Sequence, residues 1–340
     1  MNPALPTPLA VPVLLLIFNR PETTRVVLAA IRQARPLRLY VAADGPRPGH
    51  LTDAATCAAA RAVVLEGIDW PCQVLTQLRA HNLNCGVGPA TAISWFFEHE
   101  AAGIILEDDC VPGPDFFGYC QELLARYAHD TRVMHIGGNN FSREARQPQP
   151  VGADSYYFST QVNSWGWATW RRAWQLFDFD LTDFESLRLA GRLAGLYSSA
   201  LENRYRLAKI AGVRQLPAPA HVWDYQWHFA IAAHSGLCTV PAVNLVGNVG
   251  FGAHGTHTLN ATDELANVPT AELAWPLHHP AHVLADRPRD RQRFREFLWG
   301  RVAVKAREFL ARLSPPKPEP VAPLAPLVRH QLPSISAPLP

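Results

Sequence analysis

The stretch Gly103-Ile104-Ile105-Leu106-Glu107-Asp108-Asp109 decides the fold. Its apolar residues predict a buried strand that ends abruptly in three consecutive carboxylates. Aliphatic residues followed directly by acids are typical of a strand that leaves a parallel sheet at its carboxyl end, where α/β proteins bind ligands. Three adjacent carboxylates repel one another unless a positive charge neutralises them, and a divalent cation with oxygen ligands is the natural candidate. The equal alternative is a turn with helix-capping acids, since Gly113-Pro114-Asp115 has the composition of a helix start.

Predicted strands and helices alternate before this stretch, with short connections between them. The expected elements are a strand over Pro12–Phe18, a helix from Pro21, a strand over Leu37–Ala43, a helix over 52–66, a strand over Gln73–Leu78 and a helix from Pro89 to about His99. A polar loop from His81 to Gly88 precedes the last of these helices. This alternation predicts an α/β fold, in which a mostly parallel sheet is flanked by helices.

The pattern changes after the acidic residues. The expected elements are a helix over 115–128, strands over Arg132–Ile136 and Tyr156–Val162, helices within 180–215 and over Val222–His234, a strand-like segment over Thr239–Val246 and a glycine-rich loop over Gly247–Thr258. Residues 142–155 are expected to form an irregular loop. Trp167, Trp170 and Trp174 fall at helical spacing, which predicts that they form the packed face of one helix.

The chain divides into four expected segments. Residues 1–10 are predicted to be a disordered leader, residues 11–285 one domain, residues 286–313 a basic amphipathic helix and residues 314–340 a proline-rich disordered tail. The basic helix could lie on an anionic membrane surface. An equal alternative is a terminal helix that docks on the domain and keeps its basic face in solvent.

Composition and charge narrow the class of protein. With 340 residues, 48% of them hydrophobic, the chain can bury one large core or two modest ones. The net charge of +2 indicates no nucleic-acid partner. The six cysteines have neither CxxC nor zinc-finger spacing, and no secretory signal is evident, so we expect reduced cysteines and a cytoplasmic location.

Two further acids are candidates for chemistry. Asp44 ends the second strand and would share a sheet edge with the acidic triplet, Glu107-Asp108-Asp109. A carboxylate at this edge can accept hydrogen bonds from a nucleobase or a ribose. Taken alone, it is better explained as a turn residue before Gly45. Asp224 is either the N-cap of a helix or a general base between aromatic walls, Trp223 and Trp227, that could hold an acceptor sugar.

Positive, aromatic and imidazole side chains complete the candidate site. Arg20, at the end of the first strand, is well placed to meet a phosphate-bearing donor, and Trp165 is free to stack on a ligand. Gly250–Gly255 spells GxGxxG, but it lies late in the chain and opens no helix, so we reject dinucleotide binding. The loop can instead bring backbone amides, His254 and His257 close to phosphates or a metal.

In their order and spacing these residues resemble the GT-A glycosyltransferases, the nucleotide-diphospho-sugar transferase superfamily. The likeness runs from about Pro12 to Thr258, and the motifs that carry it are Phe18-Asn19-Arg20-Pro21, Asp44-Gly45, Asn84-Cys85-Gly86, Glu107-Asp108-Asp109 and Thr256-His257-Thr258. The acidic triplet looks like that of metal-dependent enzymes of the N-acetylglucosaminyltransferase I type. The tryptophan-rich stretch and the Thr-His-Thr ending look like those of bacterial family-2-like relatives.

The resemblance implies a GT-A fold and the transfer of a hexosyl or N-acetylhexosaminyl group from a nucleotide-diphosphate sugar to an acceptor hydroxyl. Uridine diphosphate is the default donor nucleotide, and surface glycan synthesis is one expected setting. The segment Trp223–Trp227 lacks the arginine of the QxxRW pattern of processive family-2 synthases. The resemblance therefore implies a non-processive enzyme.

The resemblance also implies roles for the residues at matching positions. Asp109 and His257 would bind Mn²⁺ or Mg²⁺ that bridges the donor diphosphate, and Asp224 would be the catalytic base of an inverting transfer. The other residues expected to contact the donor are Asn19, Arg20, Asp44, Glu107, Asp108 and Trp165.

Two other classes of protein stay open. A sugar nucleotidyltransferase shares the fold and the metal, but it usually carries a glycine-rich basic loop directly after the first strand, and Asn19-Arg20-Pro21 offers none. A non-catalytic protein that binds carbohydrate or nucleotide sugar through an inactive GT-A domain is the second class. Titration with nucleotide sugars, with and without Mn²⁺, distinguishes these classes from a transferase.

Overall fold

The structure, a computed structural model, describes residues 8–147, 149–216, 222–251 and 268–313. Strands and helices alternate up to the acidic triplet, in the order β1 (Val13–Ile17), α1 (Pro21–Ala34), β2 (Arg38–Ala43), α2 (Asp53–Gly67), β3 (Gln73–Leu78), α3 (Asn84–His99) and β4 (Ala102–Glu107). The predicted strands of this half are confirmed to within a residue at either end.

Shorter elements follow the triplet. They are β5 (Cys110–Pro112), α4 (Phe116–Arg126), β6 (Val133–Gly137), β7 (Tyr156–Ser159), β8 (Trp167–Trp170), α5 (Arg171–Trp174), α6 (Phe184–Leu189), α7 (Ala200–Arg214), α8 (Asp224–Ala233), β9 (Leu237–Pro241), β10 (Val246–Asn248) and α9 (Arg287–Leu313). A single 3₁₀ turn, Glu144–Arg146, lies in the expected irregular loop. The strand-like segment predicted over 239–246 is two strands, β9 and β10, in different sheets.

One eight-stranded sheet forms the centre of the fold, with the strand order β3-β2-β1-β4-β8-β6-β9-β7. Its strands run parallel except β8 and β7, which are antiparallel to their neighbours. The strands β5 and β10 form a separate antiparallel pair. The predicted fold class is therefore confirmed: an α/β fold with a mostly parallel sheet flanked by helices.

The side chains of β1 alternate between two hydrophobic cores. Val13, Leu15 and Ile17 belong to the core that also contains residues of α1, α2 and α4. Leu14 and Leu16 belong to the core that contains residues of α3. Because both faces of the strand are covered, β1 is apolar throughout instead of alternating with polar residues.

The chain changes from one face of the sheet to the other between β3 and β4. Helices α1 and α2 pack on one face, whereas α3, which leads into β4, packs on the opposite face. The strand β4 then pairs with β1, with Leu15 opposite Leu106. Such a reversal opens a crevice at the carboxyl ends of the two strands, and this is where open α/β sheets bind ligands.

The tryptophan-rich segment folds differently from the predicted helix. Trp167 and Trp170 lie in strand β8, between β4 and β6, and α5 contains only the four residues that follow. Side chains alternate across a strand, so residues three apart face opposite sides of the sheet. Trp167 and Trp170 accordingly belong to different cores. Their burial was predicted correctly, but the prediction that they share one face of a helix is wrong. Apolar residues three positions apart also suit a strand that is buried on both faces.

Other boundaries also differ from the prediction, and β7 ends at Ser159 and not at Val162. Helix α3 begins at Asn84 and not at Pro89, and the Oδ1 of Asn84, its first residue, accepts hydrogen bonds from the backbone N–H groups of Gly86 and Val87, which the helix itself leaves without partners. Leu9, assigned to a disordered leader, is fully buried, and its backbone bonds to Ala34 and Leu37. Ordered packing therefore begins before residue 11.

The chain forms two compact units, one up to Glu296 and one from Phe297. The first turns of α9 belong to the first unit: Arg287 donates to the carbonyl oxygen of Tyr197, and the Asp290 carboxylate accepts bonds from Ser159 and Thr160. For these turns the docked alternative is correct. The predicted proline-rich tail, 314–340, lies outside the described residues. In the described part of the chain, no helix is long and apolar enough to cross a membrane.

A buried histidine links β6 to the tryptophans around it. The ring of His135 stacks on Trp167, at 5.0 Å between centroids. Its Nδ1 accepts a hydrogen bond from the indole N–H of Trp227, and its Nε2 lies 2.9 Å from the carbonyl oxygen of Asn163. An indole nitrogen only donates and a carbonyl oxygen only accepts, so the neutral ring with a proton on Nε2 is the form that fits. Burial lowers the pKa of His135 to about 4.

This histidine should make the fold sensitive to acid. Between pH 6.5 and about 4 the unfolded chain binds a proton that the folded chain excludes. The contribution of His135 to the free energy of unfolding should therefore fall with decreasing pH, by at most about 1.4 kcal/mol per pH unit and about 3 kcal/mol in total. His135→Gln should flatten the profile measured by urea unfolding, whereas His50→Gln, at an exposed turn, should leave it unchanged. Identical profiles for His135→Gln and the wild type would contradict this account.

Candidate active site

The acidic triplet lies at the carboxyl end of β4, beside the end of β1. The guanidinium of Arg20, which follows β1, forms ion pairs with both Asp108 and Asp109. Its Nη1 lies 2.9 Å from Asp109 Oδ2, and its Nη2 contacts Asp108 Oδ1. The backbone N–H of Phe18 donates to the other oxygen of Asp108. The positive charge that the triplet was expected to require is supplied here by an arginine of the same chain.

Burial controls the electrostatics of this cluster. It raises the pKa of Glu107 to about 8, with the charges of Asp109 and Asp108 adding to the effect. Burial also raises the pKa of Asp108 to about 6, although Arg20 opposes the shift. Burial disfavours the charge of Arg20 as well, but Asp108 and Asp109 more than offset it and raise the pKa of the guanidinium. The cluster thus holds its charges only because they neutralise one another.

The pair of strands β5 and β10 fixes Asp109 from its other side. Asn248 donates from Nδ2 to Asp109 Oδ1 at 3.3 Å, and the N–H of Val249 donates to the Asp109 carbonyl oxygen. A Cβ on Gly250 would lie 2.1 Å from Asp109 Oδ2, so only glycine fits beside this carboxylate. The glycine-rich loop was singled out in the sequence, but the buried Asn248 was missed, because nothing in its neighbours indicates that β10 pairs with β5.

Asp44 lies at the same edge of the sheet, after β2. Its Oδ1 accepts hydrogen bonds from the backbone N–H groups of Gly45 and Leu83, each at 3.0 Å. Burial raises its pKa, while these bonds and the charges of Arg79 and Arg61 act in the opposite direction. A Cβ on Gly45 would lie 2.4 Å from the backbone nitrogen of His81, which explains the glycine after Asp44. The turn and the site interpretations of Asp44 are therefore compatible.

Asn19 is oriented by an ion pair that the sequence did not reveal. Its Nδ2 donates to Asp53 Oδ1 at 3.0 Å, and Asp53 is bonded to the guanidinium of Arg47. Arg47 also lies over the ring of Phe18, at 5.3 Å from its centroid. Hydrogen bonds from Arg47 hold the pKa of Asp53 well below its usual range. In the sequence Asp53 has only the features of a helix start, so its role was missed.

Asp224 is the first residue of α8, and the N-cap is Trp223, so the predicted N-cap role is wrong. The carboxylate is close enough to Glu107 for its charge to help raise the pKa of Glu107, after burial and the two neighbouring aspartates. Asp224 is therefore within electrostatic range of Glu107. Trp223 and Trp227 do not form walls around it, because both are buried in the core with Trp167.

Trp165 is partly buried and makes edge contacts with two phenylalanines. Its ring centroid lies 4.9 Å from that of Phe141 and 5.6 Å from that of Phe251. Phe251 directly precedes residues 252–267, which the structure does not describe. His254 and His257 belong to that segment, so the predicted metal ligand His257 lies outside the described residues.

The chemistry of Asp108 and Asp109 fits an oxygen-preferring divalent cation. Within the described residues, no group of three or more His, Cys, Asp or Glu side chains is arranged to hold a metal ion. Two carboxylates nevertheless converge on one positive charge, the guanidinium of Arg20, and Gly250 keeps the space beside Asp109 Oδ2 free of a side chain. Mg²⁺ is commonly bound by one or two carboxylates together with substrate phosphates. The chemistry of Asp108 and Asp109 is therefore compatible with such a cation, although both carboxylates are paired with Arg20.

Comparison with known proteins finds similarity in fold. No protein-family model matches the chain, and no curated protein matches it. Solved structures of similar fold include the mannosyltransferase PcManGT from Pyrobaculum calidifontis in complex with GDP-Man and Mn²⁺, at 14% identity and a TM-score of 0.35, covering 67% of this chain and 70% of that one. Mouse xyloside xylosyltransferase 1 is 16% identical, with a TM-score of 0.32 and coverages of 66% and 82%.

A third similar structure belongs to another class of enzyme. The inositol-1-phosphate CTP transferase from T. maritima is 7% identical, with a TM-score of 0.35 and coverages of 75% and 94%. At such identities and TM-scores the likeness says nothing of donor, acceptor or mechanism.

The ion pairs of Arg20 should be important for stability. Arg20→Gln leaves the buried Asp108 without its cation, which should lower the free energy of unfolding by about 3 kcal/mol. Arg32→Gln is the matched control, because its ion pair with Asp69 is more than half exposed and should contribute little. Adding Asp108→Asn to Arg20→Gln should restore part of the loss in urea unfolding. Equal, small effects of Arg20→Gln and Arg32→Gln would contradict the assignment.

Proposed function

We propose that the protein is a glycosyltransferase that moves a sugar from a nucleotide-diphosphate donor to an acceptor hydroxyl. The observation that carries the proposal is the site at the junction of β1 and β4: Arg20, Asp108 and Asp109 meet there, and Asp224 approaches from α8. Ligands of open α/β sheets bind at such a junction. An arginine, two aspartates that fit a cation and a separate carboxylate are the groups needed to bind a diphosphate and activate a hydroxyl.

In this proposal Asp109 would hold a Mn²⁺ or Mg²⁺ ion that arrives with the donor, and His257 stays a proposed second ligand. The ion would supply positive charge to the nucleoside diphosphate as it leaves. Asp109 suits this task better than Asp108, since Asp109 is 8% exposed and Asp108 only 2%, and Gly250 leaves the space beside Asp109 Oδ2 free of a side chain. Arg20 holds the two carboxylates in place before the donor binds.

Asp224 is proposed as the general base. It is partly exposed at the start of α8, so an acceptor hydroxyl can reach it, and it would take the proton of that hydroxyl as the oxygen attacks the anomeric carbon. Attack from the side opposite the leaving diphosphate gives inversion of configuration. Because nearby charges and burial favour the protonated form of Glu107, Glu107 is not the better base.

The remaining assignments concern the donor and its setting. UDP stays the proposed nucleotide on the resemblance alone, and the sugar is a hexosyl or N-acetylhexosaminyl group. The residues proposed to contact the donor are Asn19, Arg20, Asp44, Glu107, Asp108 and Trp165. A cytoplasmic location and contact of residues 286–313 with the inner face of a membrane are likewise proposed, with binding to anionic vesicles as their test.

Two isosteric variants separate the proposed roles. Asp109→Asn should weaken the binding of a UDP-sugar in Mn²⁺ at least tenfold, because it removes a charged ligand of the cation. Asp224→Asn should bind donor and Mn²⁺ like the wild type but release UDP from the sugar 10²- to 10⁴-fold more slowly, the usual contribution of a general base. Calorimetric titration with UDP-glucose and UDP-N-acetylglucosamine, each with Mn²⁺ or with a chelator, measures the first effect. Release of UDP measures the second.

The two variants also show how the proposal can fail. Mn²⁺-dependent binding that survives Asp109→Asn would remove the metal assignment. If Asp224→Asn releases UDP at the wild-type rate, Asp224 is not the general base. Donor binding without any turnover, in the wild type and both variants, would leave a nucleotide-sugar-binding protein.

A further inference from the structure

A second polar cavity lies at the same edge of the sheet, away from the junction of β1 and β4. Its volume is about 150 Å³, and its walls come from the segments that follow β6 and β9, from the start of β7 and from α9. Among the residues that line it are Asn140, Tyr157, Arg289 and Arg293. In the sheet, β6, β9 and β7 are two, three and four strands from β4. At about 4.8 Å per strand, the cavity is roughly 10–20 Å from the triplet.

Arg293 brings an incompletely bonded charge to this cavity. Its Nη2 donates to Asn163 Oδ1 at 2.8 Å, and its guanidinium lies over the ring of Phe141 at 5.2 Å. Its Nη1 is buried without a hydrogen-bond partner, and the side chain forms no ion pair with any described residue. Burial lowers the pKa of this guanidinium. A buried donor without a partner is costly, and the cost is removed when a ligand oxygen accepts its hydrogen bond.

Among the described residues, no acid near the cavity forms an ion pair with Arg293. Glu144 and Asp154 also line it, but both are exposed at its rim, and Glu144 is paired with Arg289 at 3.3 Å. The charges of Asp290 and Glu296, one turn before and after Arg293, act on its guanidinium, but neither acid forms an ion pair with it, and Asp290 accepts hydrogen bonds from Ser159 and Thr160. Solvent screens the acids of the rim, whereas the inner wall carries Arg293. The cavity therefore favours a ligand with a negative charge.

The size of the cavity indicates the size of the ligand. A dry cavity of about 150 Å³ in another protein accepts benzene, so a six-membered ring fits a space of this volume. The walls here are polar, with Asn140, Ser142 and Gln292 among them, and Tyr157 adds an aromatic face. Amide and hydroxyl groups beside an aromatic ring suit a sugar ring, and the guanidinium suits a carboxylate or a phosphate on it.

We propose that this cavity is an acceptor subsite that binds a sugar residue bearing a carboxylate or phosphate group, with Arg293 as the group that recognises the charge. That it belongs to the acceptor rests on the proposed function; that it binds an acidic sugar does not. An acidic residue of an acceptor glycan held here would leave another residue of the same glycan free to reach the acidic triplet, roughly 10–20 Å away. The subsite would thus select acidic acceptors without touching the donor.

Binding of small sugars to the full chain tests this proposal directly. Glucuronate, glucose 6-phosphate and neutral glucose share one ring and differ in charge, and ligand-observed NMR or calorimetry measures their affinities. The wild type should bind at least one of the two acidic sugars tenfold or more tightly than glucose. Arg293→Gln should weaken that binding at least tenfold. Arg291→Gln, at an exposed position of the same helix, should leave it unchanged.

A second variant tests the proposal even if Arg293→Gln does not fold. Ala153→Phe fills the cavity from its loop wall and keeps Arg293, so it should abolish the same binding. The proposal is overturned if neither acidic sugar binds, if glucose binds equally well, or if Arg291→Gln causes the same loss as Arg293→Gln. Measuring the binding of nucleotide sugars as well distinguishes a failure of the cavity site from a failure of the proposed transferase function. A wild type that binds an acidic sugar but no nucleotide sugar keeps the cavity site and loses the proposed transferase.

Discussion

The pairing of Arg20 with Asp108 and Asp109 is the interaction on which the rest of the site depends. Two largely buried carboxylates in sequence cannot both carry charge at the end of a strand unless a cation lies between them. The arginine reaches them because β1 and β4 are neighbours, although 88 residues separate Arg20 from Asp108. That neighbour relation follows in turn from the change of sheet face between β3 and β4. Strands β1 and β4 thus form the crevice and also bring Arg20 to the acids that it neutralises.

Residues from the carboxyl-terminal half of the chain also contact the site. Strand β10 pairs with β5 and brings Asn248 and Gly250 against Asp109, so this carboxylate is held between two distant segments. Helix α8 begins with Asp224, whose charge acts on Glu107. A carboxylate that is positioned by rigid elements needs little reorganisation when a cation and a diphosphate replace the guanidinium contact. This arrangement connects the fold to the proposed chemistry.

Much of the first half could be predicted from sequence, because continuous apolar runs such as β1 and β4 are typical of strands buried on both faces. The triplet and Asp44 were placed at one edge for the same reason, since parallel strands end together. The predictions that failed concern residues whose structure depends on contacts between segments distant in sequence. Trp167 and Trp170 fit a helix and a strand equally well, and only pairing with β4 and β6 decides between them. Asn248 carries no local signal, because its partner Asp109 is remote in sequence, and Asp53 has the features of a helix start although its partner Arg47 is only six residues away.

The central claim is that the junction of β1 and β4 binds a nucleotide-diphosphate sugar together with a divalent cation. It is tested most directly by titrating the wild-type chain with a panel of nucleotide sugars, with and without Mn²⁺, and measuring affinity and the slow release of nucleoside diphosphate. The account predicts that one donor binds at least tenfold more tightly in Mn²⁺ and is slowly hydrolysed. Absence of binding for every nucleotide sugar in Mn²⁺ would contradict it.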